Sequence, residues 1–131
     1  MTIPMESSGN NRLTRRERLG GRSTIKAVFS ARRVSCRGMS LFYRDNKLGL
    51  SRLLVTTRKG YGNAIARNRA RRTGREFYRQ NKADIATGYD LAFAFYPGEY
   101  PTVDRNRQMR HVLRDAGLLQ QEAANKTGPW I

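Results

Sequence analysis

Histidine and cysteine are nearly absent from this chain of 131 residues: each occurs once, as His111 and Cys36. A single cysteine excludes an internal disulfide, and with one histidine beside it a zinc site built from such ligands is excluded too. Cys36 reads as an inert thiol. Acids are also scarce, ten Asp or Glu against 26 Lys or Arg, and they show no paired or ligand-like spacing that would hold two metals or set an acid against a base. His111 falls on the polar side of its helical pattern, so no residue is assigned as catalytic and none as a metal ligand. No apolar run approaches the ~18 residues of a membrane span. Residues 1–11, MTIPMESSGNN, have neither the basic start nor the apolar core of a secretory signal. The expectation is a cytoplasmic protein without a membrane partner, whose residues 1–11 form a disordered tail.

What the chain has in excess is positive charge. At 15.0 kDa, with a formal net charge of +16 and a pI near 11.3, it is long enough for one domain with a modest core. Such charge exceeds anything folding needs and points to an anionic polymer, nucleic acid first. Of the 26 cations 21 are Arg, whose planar fork grips phosphate oxygens in pairs; a genome rich in Arg codons would give the same ratio.

The charge is concentrated in Arg58–Lys82, RKGYGNAIARNRARRTGREFYRQNK, with nine Lys or Arg against Glu76 alone. Gly60-Tyr61-Gly62 reads as a turn and Asn63 as an N-cap, which predicts a helix from about Ala64 to Gln80. At about 100° per residue, Arg67, Asn68, Arg71, Arg72, Arg75 and Arg79 share an arc of roughly 140°. Ala66, Ala70, Thr73 and Phe77 fall on the other side. The apolar side suits close packing on a sheet, leaving the guanidiniums outward to meet phosphates. The bland alternative is a solvated basic helix, against which stands the repulsion of like charges four residues apart.

Around this helix the pattern predicts a short helix over Thr24–Ala31, capped by Ser23, with Ile25, Val28 and Phe29 as one apolar stripe and Arg32-Arg33 closing it. Strands follow at Gly38–Arg44 and Arg52–Thr57, with Gly49 or Leu50 as part of a short edge strand. Asp90–Tyr96 reads as a strand buried on both faces. Pro101-Thr102 opens a last helix with Met109, Val112, Leu113 and Ala116 inward, and Gly117 stops it. The order α-β-β-(β)-α-β-α predicts an α+β domain, helices packed on a mostly antiparallel sheet. Its bounds are residues 12–119, with residues 1–11 and 120–131 as tails. Arg12–Arg22 reads equally as a flexible arm or as an extra phosphate contact.

Ala64-x-x-Arg67-Asn68-Arg69-Ala70-Arg71-Arg72 with Arg75, led in by Lys59, Gly62 and Asn63, resembles the RNR signature of the protein subunit of bacterial ribonuclease P. The element order agrees with that family over roughly Arg18 to Leu119. The resemblance implies a fold similar to one domain of a small-subunit ribosomal protein, with a left-handed βαβ crossover through the RNR helix, contrary to the usual rule. It implies a subunit of an endonuclease whose catalysis and Mg²⁺ belong to a large RNA, and which removes the 5′ leader of precursor tRNA. Its partners would be that RNA and precursor tRNA, with no obligate protein partner. Lys59, Arg67, Asn68, Arg69, Arg71, Arg72, Arg75 and Arg79 would contact the RNA subunit. Ile25, Phe29 and Tyr43 would line a cleft for the leader, between the first helix and the sheet. From the residues alone, Phe29 and Tyr43 read first as ordinary core.

Three positions depart from the family pattern. Ile25 stands where a phenylalanine is usual, Thr73-Gly74 replaces a bulky apolar pair at a cost of about 1 kcal/mol for the mid-helix glycine, and Gly60 replaces a lysine. A non-enzymatic RNA-binding protein, ribosomal or chaperone-like, fits the composition equally well.

Overall fold

A computed structural model describes residues 13–119, so the tails expected at residues 1–11 and 120–131 lie outside the described residues. The elements in chain order are α1 (Arg22–Phe29), β1 (Arg32–Cys36), β2 (Met39–Asp45), β3 (Arg52–Thr57), α2 (Ala64–Asn81), β4 (Tyr89–Phe95) and α3 (Thr102–Asp115). Short 3-10 turns at Arg15–Glu17 and Lys82–Asp84 precede α1 and follow α2. This is the α+β fold expected. No helix among the described residues is long and apolar enough to cross a membrane.

The sheet has four strands in the order β1-β2-β4-β3. β1 with β2 and β2 with β4 are antiparallel, while β3 lies parallel to β4, the two joined through α2. The further strand is not at Gly49 or Leu50 but at Arg32–Cys36, which begins with the Arg32-Arg33 pair expected to close the first helix. Their side chains are largely exposed, as suits an edge strand, and such a polar segment carries no apolar alternation to reveal it. A tight turn at Gly38, at φ +86, folds β1 back onto β2. Helix α1 also begins earlier than Ser23 predicts, after Gly21, and ends at Phe29.

Two cores form because the central strands are buried on both faces. On one face Leu41, Tyr43, Leu53, Val55, Leu91, Phe93 and Phe95 pack against Ala70, Phe77 and Tyr78 of α2 and Met109, Val112 and Leu113 of α3. On the other, Phe42, Ala92 and Ala94 meet Leu19 and Val28, with Ile25, Phe29, Leu54 and Tyr96 partly covered beside them. The alanines of β4 are the reason one short helix suffices there, since it can approach the strand closely.

Gly74, which costs helix propensity, is explained by this packing. A Cβ at that position would stand 2.8 Å from both γ-carbons of Val55, so glycine is what lets α2 lie directly on β3. Gly74→Ala is therefore expected to destabilise by about 1–3 kcal/mol, as overpacking does, despite the better helix former. In a Val55→Ala background the same change should become neutral or stabilising; chemical denaturation of the four proteins measures this, and a loss of equal size in both backgrounds would refute the contact.

Candidate nucleic-acid interface

Helix α2 starts where Asn63 predicts, its side chain accepting a hydrogen bond from the Ala66 N–H at 2.9 Å. With Ala70, Gly74, Phe77 and Tyr78 buried, the cations are forced onto the remaining surface. They do not form a single row. Arg67 and Arg71 are half-buried, and Arg71 and Arg75 flank the open edge of β3. Arg72 points outward, and Arg69 turns toward α3, lining a hollow with Tyr61, Thr73 and Thr102.

Their bonding differs as well. Arg67 donates to the Gly62 carbonyl at 2.7 Å and Arg71 to Asn68 Oδ1 at 3.0 Å. Asn68 thus orients a neighbouring guanidinium. Arg79 is ion-paired with Glu76, whose carboxyl is held below the usual range by Arg79 first and Gln80 after it. Lys59, Arg69, Arg72 and Arg75 make no hydrogen bond or ion pair through their side chains among the described residues. Of the eight positions expected to face RNA, then, Arg79 alone meets an acid.

The expected cleft lies on the opposite face of the sheet. Ile25 and Phe29 of α1 border it, both half-exposed. Tyr43 does not: strand residues alternate between faces, and Tyr43 lies buried against the α2 and α3 side, with Arg32 stacked 5.9 Å from its ring centroid. The aromatic that takes the cleft position is its neighbour Phe42. Its ring lies 4.6 Å from that of Phe29, tilted by 50°, with the Arg33 guanidinium 5.9 Å away. The segment Met39–Tyr43 is buried throughout, so sequence alternation could not say which aromatic faces which way. Tyr96, half-exposed at the end of β4, adds a second ring, hydrogen-bonded to Ser40 and covered by Arg58 at 5.8 Å. Neither Phe42 nor Tyr96 was among the expected cleft residues.

At the other end of this face Arg44, Asp90 and Arg52 stand in register across three strands. The fully buried Asp90 carboxylate accepts from Arg52 at 2.8 and 2.9 Å, from Asn46 at 2.9 Å and from Arg44 at 3.2 Å. Burial pushes its pKa up, but the hydrogen bonds from Arg52, Asn46 and Arg44 outweigh that and hold it below the ordinary value.

One buried cation ties the two surfaces together. Arg105 of α3 donates to the Gly38 carbonyl and the Tyr96 carbonyl, both at 2.8 Å, to Gln108 Oε1 at 3.0 Å and to the Tyr61 hydroxyl at 3.1 Å. Its guanidinium lies 4.5 Å from the Tyr100 ring centroid and 4.7 Å from that of Phe95. The turn leading into α2 and the end of β4 are thereby pinned to the same point. The remaining sequence candidates lie apart: His111 pairs with Asp115 at 3.2 Å on the exposed side of α3, and burial pushes the Cys36 thiol up, away from reactivity.

Comparison with known proteins agrees with this arrangement. A family model described as Ribonuclease P matches residues 13–117. The ribonuclease P protein component of Natranaerobius thermophilus is 37% identical over 107 residues, covering 75% of this chain and 93% of that protein. That of Thermotoga maritima is 34% identical over 79 residues, covering 60% and 68%. Among solved structures, the RNase P protein of Staphylococcus aureus superposes with a TM-score of 0.74 at 22% identity, covering 79% of this chain and 98% of that one. The RNase P protein from Thermotoga maritima gives 0.67 at 23% identity, covering 76% and 96%; these two likenesses concern the fold.

Because its folded-state pKa is depressed, Asp90 contributes stability that is present above the unfolded carboxylate value of about 3.9 and is lost as pH falls through the folded one. Asp90→Asn is expected to cost about 2–3 kcal/mol at pH 7, less than a fully buried pair because both arginines keep some solvent. Between pH 5 and about pH 2 the variant should lose less stability than the parent; parallel acid-unfolding curves would contradict this.

Proposed function

The chain belongs to the ribonuclease P protein family, and on that premise we propose how its two surfaces divide the work. It is the protein component of a tRNA-processing endoribonuclease. In this reading Lys59, Arg67, Arg69, Arg71, Arg72 and Arg75, with Asn68 as an orienting residue, take phosphates of the catalytic RNA. Arg79 contributes less, since Glu76 already occupies it. The groove between α1 and the sheet takes the unpaired 5′ leader of precursor tRNA, with Ile25, Phe29 and Tyr96 as its accessible walls and Phe42 as support under Phe29. A base stacked on such a face gains about 1–3 kcal/mol whatever its identity, which suits a leader of variable sequence.

Mg²⁺ enters this proposal as an ion held by the RNA. It would activate the water that hydrolyses the phosphodiester. The acids Glu17, Glu76, Asp90 and Asp104 are each paired with a Lys or Arg of the chain itself, and Asp115 lies 3.2 Å from His111. The protein's part is positioning: two separate polyanions are gripped on opposite faces of one sheet, and the substrate is thereby held against the RNA that cleaves it. The cytoplasm is the proposed location, where both RNAs are at hand.

The observation that carries this reading is the set of unpaired guanidiniums on α2 together with half-exposed rings across the sheet. Mixed with a cognate catalytic RNA and precursor tRNA at low Mg²⁺, the protein is expected to raise 5′ cleavage. Arg67, Arg71 and Arg75 replaced together by Ala should lose that effect and flatten the salt dependence of RNA binding by roughly 0.7–0.9 in log–log slope per lost phosphate contact. Absence of stimulation by the parent would leave a structural RNA-binding role.

The groove has its own test. Phe29→Ala should weaken binding of leader-bearing precursor by roughly 5- to 100-fold, the weight of one stacked base, and hardly affect mature tRNA. Tyr43→Phe, facing the other core, should change neither. Comparable losses for precursor and mature tRNA in Phe29→Ala would remove the leader from this groove.

A further inference from the structure

β3 is an edge strand of the sheet, and its outer side is only partly paired. The Leu19 N–H donates to the Leu53 carbonyl at 2.9 Å, the single bridge formed there by the segment before α1. The Arg58 N–H, by contrast, bonds Phe95 on the β4 side. Backbone groups alternate in direction along a strand, so Leu53 and Val55 turn their N–H and C=O outward. Past Leu53, Val55 has no strand opposite it among the described residues.

A cavity of about 390 Å³ opens at this place, within the roughly 300–1,000 Å³ usual for small-ligand sites. The half-exposed Leu13 and Leu54, beside the nearly buried Leu19 and Leu53, give it an apolar floor, and Arg18, Arg71 and Arg75 stand around it. No acid lines it. Glu17, next in the chain, is turned to Lys82 and Thr14. Arg18 and Arg75 make no side-chain hydrogen bond or ion pair among the described residues, and Arg71 gives one donor to Asn68.

Resting on the RNA-binding reading above, we propose that this cavity is a pocket for one unpaired nucleotide of a bound RNA. The base lies on the leucine floor with its edge toward the outward-turned Val55 N–H and C=O. The phosphates on either side of it are taken by the three guanidiniums. A bare anion would leave the apolar floor unused, and a greasy ligand would leave three arginines unmet; a nucleotide matches both halves. The pocket also assigns Arg18, outside α2, to RNA recognition, and it makes Arg71 and Arg75 part of a shaped site where the rest of α2 offers only charge.

The test uses photoreactive thiouridine, placed in one arm in the catalytic RNA and in the other in the leader of precursor tRNA, with the full-length protein in the assembled complex. After irradiation the adducts are mapped by mass spectrometry. An adduct on residues 13–19 or 53–55 from either RNA is expected, and the arm that yields it identifies the source. Arg18→Ala, an exposed position whose loss should leave the melting temperature unchanged, is expected to lower that adduct about tenfold, the weight of one charge-assisted contact. Adducts on α2 with none at the pocket, or an adduct indifferent to Arg18→Ala, would overturn the pocket and keep the broader reading. Adducts on neither would sink both.

Discussion

The constraint on which the molecule depends is that β4 is covered on both faces by side chains of unequal size. Leu91, Phe93 and Phe95 project to one side, Ala92 and Ala94 to the other. The large side chains need two helices to cover them, and α2 is one of the two. The small ones allow α1 to come close while leaving the sheet beside it partly open. A basic helix on one side and an aromatic groove on the other therefore follow from one strand's alternation.

Neither surface would be useful if it could drift against the other. Arg105 removes that freedom with an uncommon device, a buried guanidinium whose two terminal nitrogens donate to carbonyls, a side-chain amide and a hydroxyl between aromatic faces, while its Nε finds no hydrogen-bond partner among the described residues. Burying a charge is costly unless hydrogen bonds replace its water, and here three loops converge to supply them. The same residues that solvate Arg105 are those that must be held: Tyr61 before α2, Tyr96 at the groove, Gly38 in the β1–β2 turn. Stability and positioning are one arrangement here.

Charge follows a similar economy. Where arginines are wanted as structure they have partners: Arg52 and Arg44 on Asp90, Arg79 on Glu76, Arg105 in its cage. Those proposed to meet RNA, Arg69, Arg72, Arg75 and Arg18, are offered none by the described surface. With so few acids in the chain, most cations cannot be paired internally. Among the described acids, Glu17 and Asp90 are buried where pairing supports the fold.

The parallel step through α2 came only with the family resemblance, whereas the α+β class, the two long helices and the cationic character of α2 were all legible in the amino-acid order. Each is local: helix periodicity, a capping asparagine, apolar runs between turns, net charge. The exposed edge strand Arg32–Cys36 was not, because a polar strand is defined by its partner's hydrogen bonds and not by its own side chains. Gly74 read as a defect until Val55 was seen against it. The choice between Phe42 and Tyr43 for the groove was beyond the pattern too, since a segment buried on both faces has lost the polar residues that would mark its sides. What the chain alone determined was therefore which residues are chemically able to meet RNA; which of them point the same way, and which stand together around one cavity, only the packing of sheet and helices decided, because facing and convergence are properties of pairs of elements distant in sequence.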